Sequence, residues 1–159
     1  MSHVRGEGAA RVQAALTACG LACRVAELPE STRSAEDAAR AIGCRVEQIV
    51  KSLVFRGART GRPILVVASG RNHVHEKRLG ELVGEPIAKA DAHFVLEKTG
   101  YAIGGVPQLG HSEPLDTWID ADLLQQAELW AAAGTPHAVF RLTPADLQQM
   151  TRGRVVAIQ

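Results

Sequence analysis

The sequence predicts one α+β domain over residues 1–159, built on a mixed, strongly curved sheet with helices packed against it. Three observations lead there. Apolar runs of strand length, such as "KSLVF" and "PILVVAS", are bounded by turn residues. Short segments with helical spacing and recognisable caps lie between those runs. The two kinds alternate too irregularly for a doubly wound parallel sheet.

The elements follow in order. Residues 8–19 (GAARVQAALTAC) read as a helix with Val12, Ala15, Leu16 and Cys19 on one face and Gly20 at its C-cap. Residues 22–28 read as a strand that Pro29 stops. In "STRSAEDAARAIGC" Ser34 is the N-cap, and Glu36 and Asp37 sit in the first turn, where the helix dipole favours acids. Ala38, Ala41 and Ile42 make its inner stripe and Gly43 ends it. Residues 46–50 add a helical turn. Strands 51–55 and 63–69 form an antiparallel hairpin around the basic loop "RGARTG". Residues 75–84 form a helix with Leu79, Leu82 and Val83 inward, and residues 91–100 a second, capped by Asp91 and closed by Gly100. Further on, 115–120 reads as a strand and "ADLLQQ" as a short helix. Strands 128–134 and 137–142 pair around a Gly-Thr-Pro turn. Thr143 caps a helix over 143–151 with Pro144 at its first position, and "RVVAI" ends the chain as a strand.

Length and composition suit a packed core: 159 residues, 46% hydrophobic and 22% charged. Net charge is +1, so no global polycation is available for indiscriminate binding to nucleic acid. The charge is unevenly spread, however. Residues 45–80 hold eight Lys/Arg against two acids, and residues 112–140 hold five acids and no Lys or Arg. One region can therefore face phosphates while the whole stays near neutral; solvation of two strands and a loop accounts for the arginines equally well. Three cysteines (Cys19, Cys23, Cys44), no C-x-x-C and no signal peptide lead us to expect free thiols and a cytoplasmic location. No apolar run approaches membrane-spanning length, so no membrane partner is expected.

The familiar catalytic signatures are missing: no phosphate-binding P-loop, no dinucleotide fingerprint, no H-E-x-x-H and no G-x-S-x-G. His73 and His75, two apart, have no evident third ligand, and no metal or cofactor is expected. Lys51 begins a strand in which Lys51, Leu53 and Phe55 alternate onto one face while Ser52 and Val54 take the other. It is either at a wet strand end or a fixed cation in a cleft for an anionic or carbonyl-bearing ligand. The stretch "GYAIGGVPQLGH" (100–111) has four glycines and no carboxylate or lysine. Gly104 and Gly105 can present consecutive backbone N–H groups to an oxyanion or ester, and Pro107 stiffens the turn. No obvious nucleophile or general base accompanies them. Such a site suits a substrate that is already activated, such as an ester.

Three blocks, "STRSAEDAARAIGCRVEQIVKSLVF", "YAIGGVPQLGH" and "GTPHAVFRLTPADLQQMT", resemble those of the YbaK/ProX family of freestanding aminoacyl-tRNA deacylases, relatives of the editing domain of bacterial prolyl-tRNA synthetases. The resemblance runs from about residue 8 to 157. It implies a barrel-like sheet with flanking helices, and hydrolysis of the ester joining a wrong amino acid to tRNA, most often tRNA-Pro. It implies that Lys51 is the essential lysine, that Gly104, Gly105, Val106 and Pro107 form the substrate loop, and that substrate groups assist the reaction. A small residue such as Ala, 2-aminobutyrate or Cys is the expected cargo. Ser52 is expected to tune which amino acid fits. His111 and His137 are candidates to bind ribose or orient water, or are structural. Thr32 and Arg33 are candidates to shape the pocket, and Tyr101 to pack with its hydroxyl at the rim. Arg56, Arg59, Arg62, Lys77 and Arg78 are the expected phosphate contacts. Transient contact with a synthetase or elongation factor is compatible with the family. Two other functions compete: a binding module of the same fold without hydrolysis, and a thiol enzyme using Cys23 or Cys44.

Overall fold

The seven residues of "PILVVAS" are all buried, which is what a strand covered on both faces requires. They form β3 (Pro63–Ser69) at the centre of a computed structural model that describes residues 7–32, 34–103, 106–112 and 115–159. In order the chain forms α1 (Glu7–Ala18), β1 (Val25–Glu27), α2 (Ala35–Ile42), β2 (Ile49–Gly57), β3, α3 (Glu76–Val83), β4 (Ile87–Lys89) and α4 (Ala92–Thr99). There follow β5 (Asp116–Asp120), β6 (Leu129–Ala132), β7 (Ala138–Leu142), α5 (Pro144–Thr151) and β8 (Arg154–Val156), with single 3-10 turns at Val46–Gln48 and Ala121–Gln125.

The eight strands make one mixed sheet in the order β1-β7-β6-β2-β3-β5-β8, with β4 branching onto β2. The β2–β3 and β6–β7 hairpins are antiparallel, as their turns predict, whereas β2–β6, β3–β5 and β5–β8 are parallel. Alternation along β3 divides the core. Leu65 and Val67 face a large cluster with Val12 and Leu16 of α1, Val95 of α4, Phe140 and Leu147. Ile64, Val66 and Ala68 face the opposite side with Phe55, Leu79 of α3, Trp118 and Ile158. A third cluster seats α2 on Ile49, with Trp130 against it.

The caps lie where the sequence puts them. Ser34, Asp91 and Thr143 each accept the N–H of the residue three positions on, and Asp146 returns a bond to the Thr143 N–H. Five details depart from expectation. In α2 the buried pair is Ala38 and Ala39, and Ala41 is only partly covered. Cys19 is exposed, because α1 ends at Ala18 and its inner face is Ala9, Val12 and Leu16. Leu82 is exposed rather than inward. α3 instead presses Gly80 against the Glu85 carbonyl, where a Cβ would come within 3.0 Å, and this turns Leu82 out. The first strand covers only Val25–Glu27 of the expected 22–28. β4, three residues with no alternating pattern, was not anticipated. Histidines 73 and 75 are not paired on a strand: the His75 ring caps α3 by accepting the Arg78 N–H. Among the described residues no group of three or more His, Cys, Asp or Glu is placed to hold a metal.

Candidate functional site

β2 is paired with β3 from Val50 to Arg56, but its other edge is shared between two partners. β6 takes only Ile49 and Val50, and β4 takes only Phe55 to Gly57. Residues 51–54 therefore have no described strand on that side. Gly70 N–H reaches the Ile49 carbonyl and Gly57 N–H the Arg62 carbonyl, so the odd-numbered residues of β2 point their main-chain groups toward β3. By the alternation of the ladder, Ser52 and Val54 direct theirs into the opening. A cleft of about 740 Å³ lies over this gap, a size suited to a nucleoside bearing a small acyl group. Side chains from both faces of β2 line it, Lys51 and Leu53 from one and Ser52 and Val54 from the other.

Lys51 is half-buried, and burial pulls its pKa below the ordinary lysine range, while Glu36 and Asp120 act in the opposite sense. Neither is close enough to form an ion pair, and among the described residues no carboxylate pairs with its ammonium. Asp120 is buried, and both of its oxygens are hydrogen-bonded to other groups. Its Oδ2 accepts the Ser69 N–H at 3.0 Å and the Asn72 amide at 2.8 Å, and its Oδ1 accepts the Asp122 N–H at 2.9 Å. The Lys51 ammonium thus lines the cleft without an ion-pair partner among the described residues, and its donors are available to a ligand.

The segment following α4 reaches the cleft through Ile103 and Val106. Gly104, Gly105 and Arg33, three of the sequence-level candidates, lie outside the described residues. The flanks of the segment are fastened at several points. Arg11 of α1 donates to the Gly100 carbonyl at 3.1 Å and the Gly110 carbonyl at 3.4 Å, and its guanidinium stacks 4.5 Å from the Tyr101 ring centre. Gly100 and Gly110 both take positive φ (+83° and +77°), which suits them to the two bends. His111 donates from Nε2 to the Pro107 carbonyl at 2.7 Å, and burial lowers its pKa, keeping the ring neutral. The Gln108 amide donates to Ser52 Oγ at 2.6 Å, tying the segment to β2.

The remaining candidates are dispersed. Thr32 lines the cleft, and its N–H and hydroxyl both donate to the Pro136 carbonyl, at 2.6 and 2.8 Å. His137 is exposed, with Nδ1 3.0 Å from the Glu30 carbonyl. Tyr101 is buried beside Arg11, and its hydroxyl has no described partner, so it does not reach a rim. Neither Tyr101, His111 nor Pro107 lines the cleft; they brace the segment that does. Of the basic residues, Arg56 is exposed and lies over the Phe94 ring at 5.5 Å. Arg59 donates to the Gly84 carbonyl at 2.7 Å, and Arg78 to the Gln159 carbonyl at 2.7 Å. Lys77 is exposed. Arg62 is engaged internally, 3.2 Å from Glu85 and 3.6 Å from Asp116.

Sequence reasoning did not pick out Arg11, Gln108 or Glu85. Glu85 Oε1 accepts the N–H groups of Arg59 and Thr60, and Oε2 accepts the Thr60 hydroxyl. Its pKa is held down at about 2, first by the Thr60 N–H and hydroxyl. The polar residue amid "GGVPQLG" was the one available signal for Gln108. The Cys23 thiol is buried with its pKa raised, first by burial and then by Asp146, and Cys44 behaves likewise beside Glu128, so neither environment favours a thiolate.

Known proteins resemble this chain in sequence and in fold. The aminoacyl-tRNA editing domain model matches residues 29–150. The chain is 31% identical to YwhH of Bacillus subtilis (strain 168), an uncharacterised protein, over 131 residues, covering 82% of this chain and 83% of that one. It is 26% identical over 130 residues to EbsC of Enterococcus faecalis (strain ATCC 700802 / V583), a proposed Cys-tRNA(Pro)/Cys-tRNA(Cys) deacylase, covering 81% and 79%. Among solved structures, a proposed trans-editing enzyme for prolyl tRNA synthetase superposes with a TM-score of 0.92 at 46% identity, over 98% of this chain and 99% of that one. With the editing-domain model matched over residues 29–150, most of the chain, the protein belongs to the aminoacyl-tRNA editing domain family.

Proposed function

We propose that the protein clears small, wrongly attached amino acids from tRNA, with mischarged tRNA-Pro as the main substrate. Hydrolysis of an aminoacyl-tRNA ester is the activity of its family. The tRNA, the amino acid and the residue roles are the reading argued from the site. The observation that carries it is Lys51: a half-buried ammonium without an ion-pair partner among the described residues, at the one stretch of β2 whose outer edge is open.

The 3′-terminal aminoacyl-adenosine lies along the gap. The main-chain groups of Ser52 and Val54 hold it as a strand would, and Gly104 and Gly105 are assigned as further N–H donors to the ester. Lys51 stabilises the negative charge that develops on the ester carbonyl oxygen. Water adds to the carbonyl carbon, the bond to the ribose oxygen breaks, and that oxygen leaves with a proton. No described side chain at the cleft is set up as a strong base, so the substrate's neighbouring ribose hydroxyl helps to move the proton. The acyl side chain points into the apolar part of the cleft around Val54, Val95 and Val106. Arg56 and Arg59 contact phosphate from the hairpin, and Lys77 from α3.

The test is a deacylation panel. Purified protein and Lys51→Ala are incubated with tRNA-Pro charged with Ala, Cys, Ser, 2-aminobutyrate or Pro, and loss of labelled ester is followed. The expected result is hydrolysis of a mischarged tRNA-Pro with Pro-tRNA-Pro spared, and no activity in the variant. Binding without turnover on any of these would replace the deacylase with a binding module. Full activity in Lys51→Ala would remove the lysine from the mechanism.

A further inference from the structure

Ser52 stands on the face of β2 shared with Val50 and Val54, opposite Val67 of β3, and its hydroxyl is a polar group on an apolar stretch of the cleft. The Gln108 amide nitrogen lies 2.6 Å from its Oγ. A hydroxyl has one proton and two lone pairs. With the amide oriented as it stands in the structure, its N–H occupies a lone pair of the hydroxyl and leaves the Ser52 proton for another acceptor, and among the described residues none takes it. Gln108 itself is only 2% exposed, and its Oε1 has no described partner. Leaving a buried amide oxygen unmatched is costly, and leucine or methionine would fill the same volume without that cost. Packing alone is therefore a poor account of a glutamine here.

We infer that Gln108 is a positioning residue that turns the Ser52 hydroxyl into the cleft, where it donates a hydrogen bond to the β-substituent of a small aminoacyl group. The pair thereby favours a hydroxyl-bearing side chain such as serine over alanine. This deepens the editing reading above and rests on it for the identity of the ligand.

The experiment measures binding rather than turnover. The probes are the non-hydrolysable seryl and alanyl amides of 3′-amino-3′-deoxyadenosine, titrated into wild type, Ser52→Ala, Gln108→Met and the double variant, with thermal melting of each. Wild type should bind the seryl probe roughly three- to tenfold more tightly, the worth of one net hydrogen bond. Each single variant should bring that ratio close to one, and the double variant should go no further. A wild type without the preference, or a folded Gln108→Met that weakens both probes equally and keeps the ratio, overturns the inference. If Gln108→Met does not fold, Ser52→Ala decides, and a retained ratio there is equally fatal. Parallel deacylation assays separate the two readings. A binding preference without turnover removes the deacylase and leaves the Ser52–Gln108 pair; turnover without a preference does the reverse.

Discussion

Glu85 and Lys51 are both charged side chains drawn against the same sheet, and the protein treats them in opposite ways. Glu85 is surrounded: two N–H groups, a hydroxyl and the Arg62 guanidinium all converge on its carboxylate, whose side chain is 3% exposed. Lys51 is left with two distant carboxylates and a cleft. A buried charge with every lone pair matched holds a turn in shape, here the basic 57–62 turn. A half-buried charge left without a close partner lowers the stability of the folded state and keeps its donors for something else. Lys51 is at the stretch of β2 open on one edge, whereas Glu85 holds the turn beyond the strand's far end, where Phe55–Gly57 also pair with β4.

The sharpest way to break the comparison is Lys51→Met. Loss of one such stabilising group should lower kcat/KM by about a hundredfold or more. Melting should show a Tm equal to or above that of the wild type, because the charged amine is desolvated in the folded state. A clear drop in Tm would make Lys51 structural like Glu85. Second, Glu85→Gln should give the opposite pattern, a lower Tm with cleft binding retained. The Glu85 pKa is depressed from the ordinary 4.5 to about 2, so its stabilisation is present above pH 4.5 and is lost as pH falls toward about 2. Chemical denaturation across that window should show the loss in wild type and a shallower one in Glu85→Gln. Third, Arg11→Ala should speed amide exchange over 101–111 selectively, since one guanidinium holds both Gly100 and Gly110. Arg11→Lys should restore only part of the protection, because an ammonium lacks the fork that reaches both carbonyls. Fourth, deacylation by wild type should fall with rising pH below the ordinary lysine range, as the lowered pKa of Lys51 releases its proton early. The smallest effect is on tRNA binding. Arg56→Ala and Lys77→Ala should each reduce the slope of log K against log salt by about one. Arg62→Ala should act mainly on Tm through its pairs with Glu85 and Asp116.

Much of the frame was legible because its signals are local. A wholly apolar β3, Ser34, Asp91 and Thr143 as caps, and the odd–even division of β2 are readable within a window of a few residues. The alternation that isolates Lys51 with Leu53 and Phe55 reappears as the two core clusters on either side of the sheet. What was not legible depends on partners far along the chain. Arg11 finds Gly110 across 99 positions, Ser52 finds Gln108 across 56, and Glu85 finds Arg59 across 26. The open edge of β2 was hidden for the same reason: it exists because two short strands, β6 and β4, each stop before the middle of the strand they share. The role of Arg62 was obscured because a run of arginines looks alike in sequence, whether a member points to solvent or back at an acid.

The order of strands also bears on when the protein can act during its own synthesis. β1 precedes the other strands in the chain, yet its one partner among the described residues is β7, and Thr32 at the cleft is bonded to the carbonyl of Pro136. β8 completes the other edge from residues 154–156. Until Ala138–Leu142 has been made, β1 lacks the strand it is seen to pair with, and Thr32 lacks the Pro136 carbonyl that steadies one wall of the cleft.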